Sequence, residues 1–467
     1  MIRSAGTICA PATGAGGAIS IIRLSGEESF NIISKIFFPS DKTVNIHKIN
    51  GFKIVHGEIR SEDEVIDEVL ISIFRSPHSY TGENAAEISC HASVYIIKKI
   101  LELLIRNGAN AAQPGEFTQR AFLNGRMDLS QAEAVADVIA SSSGVAHRIA
   151  MNQLRGGFSA EISQLRNELL NFASLIELEL DFSEEDVEFA DRDNLRRIVS
   201  NVKILTDRLS ESFSLGNALR NGIPVVIVGK PNSGKSTLLN ALLKDDKAIV
   251  SDIPGTTRDT IEDTIVIDGI EYRFIDTAGL RETNDVIESL GIKKTFEKIS
   301  QASFILLVDD ITDDPEKINL RIKTIREKIK GTDKKLILLI NKSDISNIEV
   351  RNNISRRINI EPNEDLLFIS AREKSGLDEL RNLLSHSVTE SNFSLDNVII
   401  TNTRHYEALS KVSVTIDRVI KGLDDSIPQE LIATDIRQAI YHLGEITGEI
   451  TSDEILGNIF RNFCIGK

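Results

Sequence analysis

Hydrophobic positions follow three different spacings along this chain, and each spacing marks a region. In the middle, short unbroken apolar runs recur: IPVVIV (223–228), FILLVD (304–309) and LILLI (336–340). Runs of that length read as strands buried on both faces, the pattern of a parallel sheet. Between the first two, VIDGIEYRF (266–274) alternates around Asp268-Gly269, which reads as a hairpin turn. On both sides of this block the spacing changes to that of helices. Ile162, Leu165, Leu169, Phe172 and Ile176 fall on one helical face, as do Leu409, Val412, Ile416, Val419 and Ile420. Pro428 is placed to open a further helix bearing Leu431, Ile436, Ile440 and Leu443. Ser130 and Glu133 have capping-box spacing ahead of AVADVI (134–139).

The first 119 residues mix the two patterns. Short strand-like runs, AISIIRL (18–24) and VLISIF (69–74), alternate with a helical stretch, SVYIIKKILELLIRNG (93–108), so this part reads as α+β. The Gly-rich ATGAGGAIS (12–20) lacks the GxGxxG spacing and following helix of a dinucleotide fold and reads as a turn. SYTGENAAEISCH (79–91) and QPGEFTQRAFLNGRMDLSQAEA (113–134) read only as loops. The resulting expectation is a multidomain chain: an α+β N-terminal domain (1–119), an all-α helical domain in two parts (120–217 and 385–467), and an α/β domain (218–384) inserted into it at exposed loops.

Composition narrows the function classes. With 41% hydrophobic and 26% charged residues the 467-residue chain resembles soluble globular proteins, and no apolar run approaches a membrane span. No charged start with a following apolar stretch marks a secretory leader, so a cytoplasmic location without membrane contact is expected. Three widely spaced cysteines, Cys9, Cys90 and Cys464, exclude a disulfide framework and have no metal-ligand spacing. The net charge of −15 disfavours non-specific nucleic-acid binding, so any nucleic-acid partner must meet a local patch or be held by a second protein.

The chemistry is concentrated after the first central strand. GKPNSGKST (Gly229–Thr237) has the spacing of a phosphate-binding loop. Its glycines let backbone N–H groups turn inward, Lys235 reaches the β and γ phosphates, Ser236 ligates Mg²⁺, and the helix that begins there presents its positive end. The pattern arises by chance in roughly 2% of chains of this length. GTTRD (255–259) offers Thr257 as a second Mg²⁺ ligand, and Asp276-Thr277-Ala278-Gly279 supplies a carboxylate for the metal's water shell and an N–H for the γ-phosphate. Asn341-Lys342-Ser343-Asp344 follows a strand directly; the Asp344 carboxylate can accept from guanine's N1–H and 2-amino group, selecting GTP over ATP. Ser370-Ala371, with Arg372 after them, can meet the base's O6 through backbone N–H groups. Each later element is weak alone, but in order they resemble the motifs of the Ras-like P-loop GTPase fold. One position departs from it: Leu280 stands where Ras-type enzymes orient water with glutamine, so another group must do so. Asn232 reads either as an amide ligand for a monovalent cation near the β–γ bridge or as a loop-stabilising side chain.

The last six residues, NFCIGK, place Cys464 fourth from the end. A prenylation box does not usually end in Lys, so Lys467 argues against lipidation. GAGGAISIIRLSG, SYTGE, PGEFTQRAFLNGRMDLSQAEA, GKPNSGKST, GTTRDT, DTAGLRET, NKSD and the terminal FCIGK together resemble the MnmE (TrmE) family of tRNA modification GTPases along essentially the whole chain.

That resemblance implies a homodimer whose N-terminal domain binds 5-formyl- or methylene-tetrahydrofolate, with Arg23, Glu83, Arg126 and Lys467 matching positions near the folate. Without the family, Arg23 and Glu83 would read as an ordinary surface pair. Arg126 stands where relatives often have Lys, which keeps the charge and changes the hydrogen-bond geometry. It implies a GTP site at Asn232, Ser233, Gly234, Lys235, Ser236, Thr237, Ser251, Asp252, Ile253, Pro254, Gly255, Thr256, Thr257, Asp276, Thr277, Ala278, Gly279, Asn341, Lys342, Asp344, Ser370, Ala371 and Arg372. K⁺ is implied at Asn232, Ser251, Ile253 and Thr256, drawing two GTPase domains together, and Glu288 is implied to act on the attacking water. The implied product is a tRNA wobble uridine (position 34) carrying an aminomethyl or carboxymethylaminomethyl group at C5. An MnmG-type partner supplies FAD chemistry in a heterotetramer or larger complex. Cys464 is implied to face the folate and the partner's active site, as a nucleophile, a proton donor or a structural residue. The competing reading is a regulatory or ribosome-associated GTPase switch, which a Lys/Arg-rich C-terminal RNA-binding module would favour; the sequence contains none.

Overall fold

The computed structural model describes residues 6–14, 16–62, 64–181, 192–246, 263–275, 297–389, 398–425, 427–461 and 463–466. The chain divides into two compact units, residues 1–140, 150–210 and 404–467 in one and 141–149 and 211–403 in the other.

The first unit opens on a seven-stranded sheet of order β3-β4-β5-β6-β2-β1-β7. Its strands are β1 (Ile8–Pro11), β2 (Ile19–Ser25), β3 (Phe37–Pro39), β4 (Lys53–Ser61), β5 (Glu64–Phe74), β6 (Ala85–His91) and β7 (Asn110–Ala111). All neighbours are antiparallel except β1 and β7. Alternate residues of β2 and β6 point inward, Ile22 and Leu24 with Ala86 and Ile88, where they meet α1 (Ser29–Ile36) and α2 (Val94–Arg106) in one core. Two stretches read as loops prove to be ordered elements. AAEISCH is the central strand β6, paired along Ala85–Phe74 and Ala85–Ser25; its small, weakly β-forming alanines obscured the alternation. EFTQRAFL forms α3 (Glu116–Leu123), opened by Gly115 at φ 67°.

The helices of this unit are α4 (Leu129–Ala140), α6 (Gly157–Asp181), α12 (Thr403–Asp424), α13 (Gln429–Thr447) and α14 (Asp453–Phe460); α5 (Gly144–Leu154) and α7 (Arg192–Asn221) run across the division between the units. The faces read from spacing are buried, Ile162, Leu165, Leu169, Phe172 and Ile176 on α6 and Leu409, Val412, Ile416 and Val419 on α12, except that Ile420 is only half-buried. Leu431 differs, being 55% exposed, because the buried stripe of α13 runs through Ile432, Ile436, Ala439, Ile440 and Leu443. The cap of α4 also differs from the Ser130–Glu133 expectation. Asp128 Oδ1 accepts from Gln131 N at 2.9 Å and Gln131 Oε1 accepts from Asp128 N at 3.0 Å, a reciprocal box shifted toward the N-terminus from Ser130 and Glu133 to Asp128 and Gln131. Glu133 is thereby free to serve the interior, where it meets Arg404 and His405.

The second unit is built on a six-stranded sheet of order β13-β12-β11-β8-β10-β9. Its strands are β8 (Ile223–Val228), β9 (Asp263–Ile267), β10 (Ile270–Phe274), β11 (Phe304–Asp310), β12 (Lys335–Asn341) and β13 (Glu364–Phe368). All are parallel except β9, which joins β10 through a turn with Asp268 at φ 51° and Gly269 at φ 79°, the doubly left-handed geometry of a tight hairpin. Helices α8 (Lys235–Asp246), α9 (Pro315–Ile329), α10 (Ile348–Arg357) and α11 (Leu377–Thr389) complete the α/β unit. The apolar runs are buried on both sides: alternate residues of β8, β11 and β12 enter two separate cores.

Candidate nucleotide site and the C-terminal tail

Residues 229–234 lie between the end of β8 and the start of α8, so the loop sits at the C-terminal edge of the parallel sheet, where α/β folds bind ligands. Gly229 has φ 147°, and a Cβ there would stand 2.1 Å from the Val308 carbonyl oxygen; at Gly234 (φ 99°) it would stand 2.1 Å from Asn341 Nδ2. Only glycine lets the loop approach β11 and β12 this closely. Asn232 is exposed, with a left-handed φ of 63°. The Lys235 ammonium folds back over the loop, donating to the Gly229 carbonyl at 3.0 Å and the Lys230 carbonyl at 2.7 Å. Burial lowers its pKa, and Asp309 opposes the shift. Ser236 and Thr237 lie in the first turn of α8, Ser236 half-buried and Thr237 exposed.

The base end is assembled from the ends of β12 and β13. Asn341, buried, is the connecting residue: its Nδ2 donates to the Ser233 carbonyl at 2.8 Å and its Oδ1 accepts from Ala371 N at 3.0 Å. Three stretches read as separate motifs thus share one side chain. Lys342 is left-handed (φ 62°) and its ammonium reaches Asp310 at 2.5 Å. Ser370 Oγ donates to Asp344 Oδ1 at 2.6 Å, which fixes the carboxylate's orientation. Arg372 is 85% exposed and pairs with Glu373 at 3.7 Å. Ser251, Asp252, Ile253, Pro254, Gly255, Thr256, Thr257, Asp276, Thr277, Ala278, Gly279, Leu280, Glu288 and Lys467 lie outside the described residues.

Within the first unit, residues far apart in sequence converge on the tail. Arg23 pairs with Glu87 (2.9 Å) and its guanidinium lies over the rings of Tyr80 (5.2 Å) and Phe117 (5.6 Å). Arg23 also donates to the Gly466 carbonyl at 3.3 Å, and Gly115 N donates to the Cys464 carbonyl at 3.4 Å. Gly466 is buried at φ 94°, so close that a Cβ would stand 2.0 Å from the Pro11 carbonyl oxygen. Phe460, at the end of α14, packs with Leu129, Ala132 and Leu456 and directs the tail here. Arg23 and Glu83 are not a pair with each other: Glu83 accepts from Ser25 Oγ at 2.7 Å and from Arg120 at 3.2 Å. Arg120, 4% exposed and also joined to Glu116, is a residue that sequence reasoning missed; its i, i+4 spacing from Glu116 was the available signal. Arg126 is exposed and lies against Gly82. Arg23, Phe74, Tyr80, Thr81, Ala85 and Glu87 line a cavity of about 180 Å³. Burial raises the thiols of Cys9 and Cys90 to about 11, whereas Cys464 is exposed.

Comparison with known proteins covers the chain in two blocks and then as a whole. The family model described as the GTP-binding protein TrmE N-terminus matches residues 7–126, and that described as the MnmE helical domain matches residues 129–464. The tRNA modification GTPase MnmE of Bacteroides thetaiotaomicron is 53% identical over 465 residues, 99% of each chain. The protein of the same name from Flavobacterium psychrophilum is 54% identical over 466 residues, again 99% of each.

Proposed function

The chain belongs to the MnmE (TrmE) family of tRNA modification GTPases, and from that premise we propose that it hydrolyses GTP to drive modification of C5 of the wobble uridine of certain tRNAs. The observation that carries the nucleotide half is the single hydrogen-bonded assembly at the sheet edge, in which Asn341 joins the phosphate loop to Ala371 beside Asp344. In this reading Lys235 leaves the Gly229 and Lys230 carbonyls for the β and γ phosphates. The Gly229–Gly234 turn turns its N–H groups toward the phosphates, and the start of α8 adds its dipole. Asp344, oriented by Ser370, accepts from the guanine edge. Ser236 and Thr257 would hold Mg²⁺, which supplies charge neutralisation at the β and γ oxygens. Asn232, Ser251, Ile253 and Thr256 would hold K⁺, and Glu288 would act on water in place of the glutamine absent at Leu280.

The modification half is proposed for the first unit. Arg23, with Tyr80 and Glu87 beside it, offers a cation, an aromatic face and a carboxylate to a reduced folate; Glu83, Arg126 and Lys467 complete the proposed set. Support comes from the tail, which Arg23 and Gly115 hold so that an exposed cysteine stands at this end of the sheet. The proposed assembly is a homodimer working with an FAD-dependent MnmG-type partner, which shares the tRNA contacts with an acidic chain.

Two assays test the reading. GTP turnover at equal ionic strength is expected to be faster in K⁺ than in Na⁺; equal rates sink the cation site at Asn232. Mass spectrometry of tRNA nucleosides from cells lacking their own copy is expected to show the C5-modified uridine restored by this chain. Restored growth without the modified nucleoside would instead support a regulatory GTPase.

A further inference from the structure

Residues 309–313, Asp-Asp-Ile-Thr-Asp, span the C-terminal end of β11 and the turn after it, and their carboxylates were assigned no role from sequence. Three carboxylates lie in five residues beside a loop built to hold phosphates, which Coulomb's law alone disfavours. Their partners explain the arrangement. Asp313 pairs with the Lys230 ammonium, and Lys230 is the second residue of the phosphate loop. The other Asp313 oxygen accepts from Arg321 at 3.0 Å, and Arg321 also reaches the fully buried Asp309 at 2.8 Å. Asp310 turns the opposite way: it accepts from Lys342 at 2.5 Å and from Thr312 N and Oγ at 3.0 and 2.9 Å. One short segment therefore grips the phosphate loop at Lys230 and the guanine motif at Lys342.

We propose that Asp310 and Asp313 form an acidic brace that preorganises the nucleotide site, Asp313 fixing the first half of the phosphate loop through Lys230 and Asp310 fixing the base end through Lys342. These are positioning residues. The Lys230 carbonyl is also one of the two that receive the Lys235 ammonium, so anchoring the Lys230 side chain fixes the resting place of the phosphate-binding lysine. Arg321, on α9, keeps the Asp313 carboxylate from turning toward the loop N–H groups and competing with phosphate. The inference rests on the reading of residues 229–237 as a GTP site.

Its test turns on a sign. Removing a negative charge beside a triphosphate tightens binding if charge alone matters; removing a brace weakens it. Dissociation constants for a fluorescent GDP and for GTP are measured in the full chain with Asp313→Asn, Lys230→Met, the double variant and Lys230→Arg, together with KM and kcat. The brace predicts about 3- to 10-fold weaker nucleotide binding in Asp313→Asn. KM rises with kcat little changed, the double variant is no worse than the weaker single, and Lys230→Arg restores most of the loss. Tighter or unchanged binding in Asp313→Asn, or losses that add in the double variant, overturns it. Lys230→Met gives an independent reading should Asp313→Asn fail to fold: unchanged nucleotide affinity in that variant also overturns the brace. If wild type itself shows no GTP binding, the GTP reading has failed and the brace with it.

Discussion

The nucleotide site and the tail site are built in opposite ways. The phosphate loop is nine consecutive residues whose spacing states their chemistry, whereas the tail brings Gly466 to Arg23 across 443 positions of sequence and Cys464 to Gly115, also far apart in the chain. In the first, local geometry and function coincide: the glycines that permit the turn are the ones that expose the N–H groups. In the second, the proposed function depends on where α14 docks, and α14 packs through Phe460 and Leu456 against Leu129 and Ala132, residues with no chemistry of their own. A contiguous site announces itself; a convergent one is visible only once the chain has folded.

The contrast predicts which changes damage one region and spare the other. The largest effect belongs to Lys235→Ala, expected to lower GTP turnover by roughly 100-fold or more while leaving the fold intact. A steady-state phosphate-release assay reads the loss, and limited proteolysis of the C-terminus should be unchanged. A change at the tail would break the separation of the two regions.

Next is Glu133→Gln, in the helical interior, where Glu133 accepts from Arg404 Nε and from an Arg404 terminal nitrogen, each at 2.9 Å, and from His405 at 2.7 Å. Leaving Arg404 without its buried carboxylate is expected to cost about 3 kcal/mol, measured by denaturant unfolding at pH 7. Burial opposes ionisation of Glu133, but His405 and Arg404 outweigh it and lower its pKa from 4.5 to about 2. Because the folded value is the lower one, the stabilisation is complete above pH 4.5 and is lost as pH falls toward 2. Burial also lowers the pKa of His405, so proton uptake on unfolding adds a loss of stability as pH falls through 6.5. Below pH 4.5, where Glu133 itself begins to protonate, the gap between wild type and Glu133→Gln should therefore narrow as pH falls toward 2. A gap that widens between pH 4.5 and 2 would contradict the assignment of Glu133 as the ionised partner.

The smallest effect is one of selectivity. Asp344→Ala is expected to reduce the preference for GTP over ATP by about 10-fold while altering stability by less than about 1 kcal/mol. Competition binding with the two nucleotides measures it, and an undiminished preference removes Asp344 from the base site.

The same contrast accounts for what could be read in advance. The parallel strands were legible because IPVVIV and LILLI are buried on both faces, and the hairpin because Asp268-Gly269 demands left-handed geometry. The multidomain α/β and helical architecture followed from those runs and from the helical faces of α6 and α12. Strand β6 was not legible, since its alanines carry little strand signal and its place between β2 and β5 is set by long-range pairing. The cap of α4 was misplaced because Ser130 and Glu133 satisfy the spacing as well as Asp128 and Gln131 do, and only the interior demand of Arg404 on Glu133 separates them. At the candidate nucleotide site each motif is a contiguous run and so could be read from spacing alone. What escaped was the joint between motifs: Asn341 serving Ser233 and Ala371, and the carboxylates at 310 and 313 serving two lysines. At the tail, the resemblance supplied Arg23, Glu83 and Arg126, but the pairing of Arg23 with Glu87 and of Glu83 with Arg120 needed the fold.

In the proposed function, GTP hydrolysis and the tail serve one modification reaction. The most direct measurement is nucleoside analysis of tRNA from cells whose only copy carries Cys464→Ser, with GTP turnover of the purified variant measured beside it. Loss of the C5-modified uridine with GTP hydrolysis intact is the expected result. Normal modification in Cys464→Ser would contradict it, leaving the tail as a structural plug and the cysteine without a part in the chemistry.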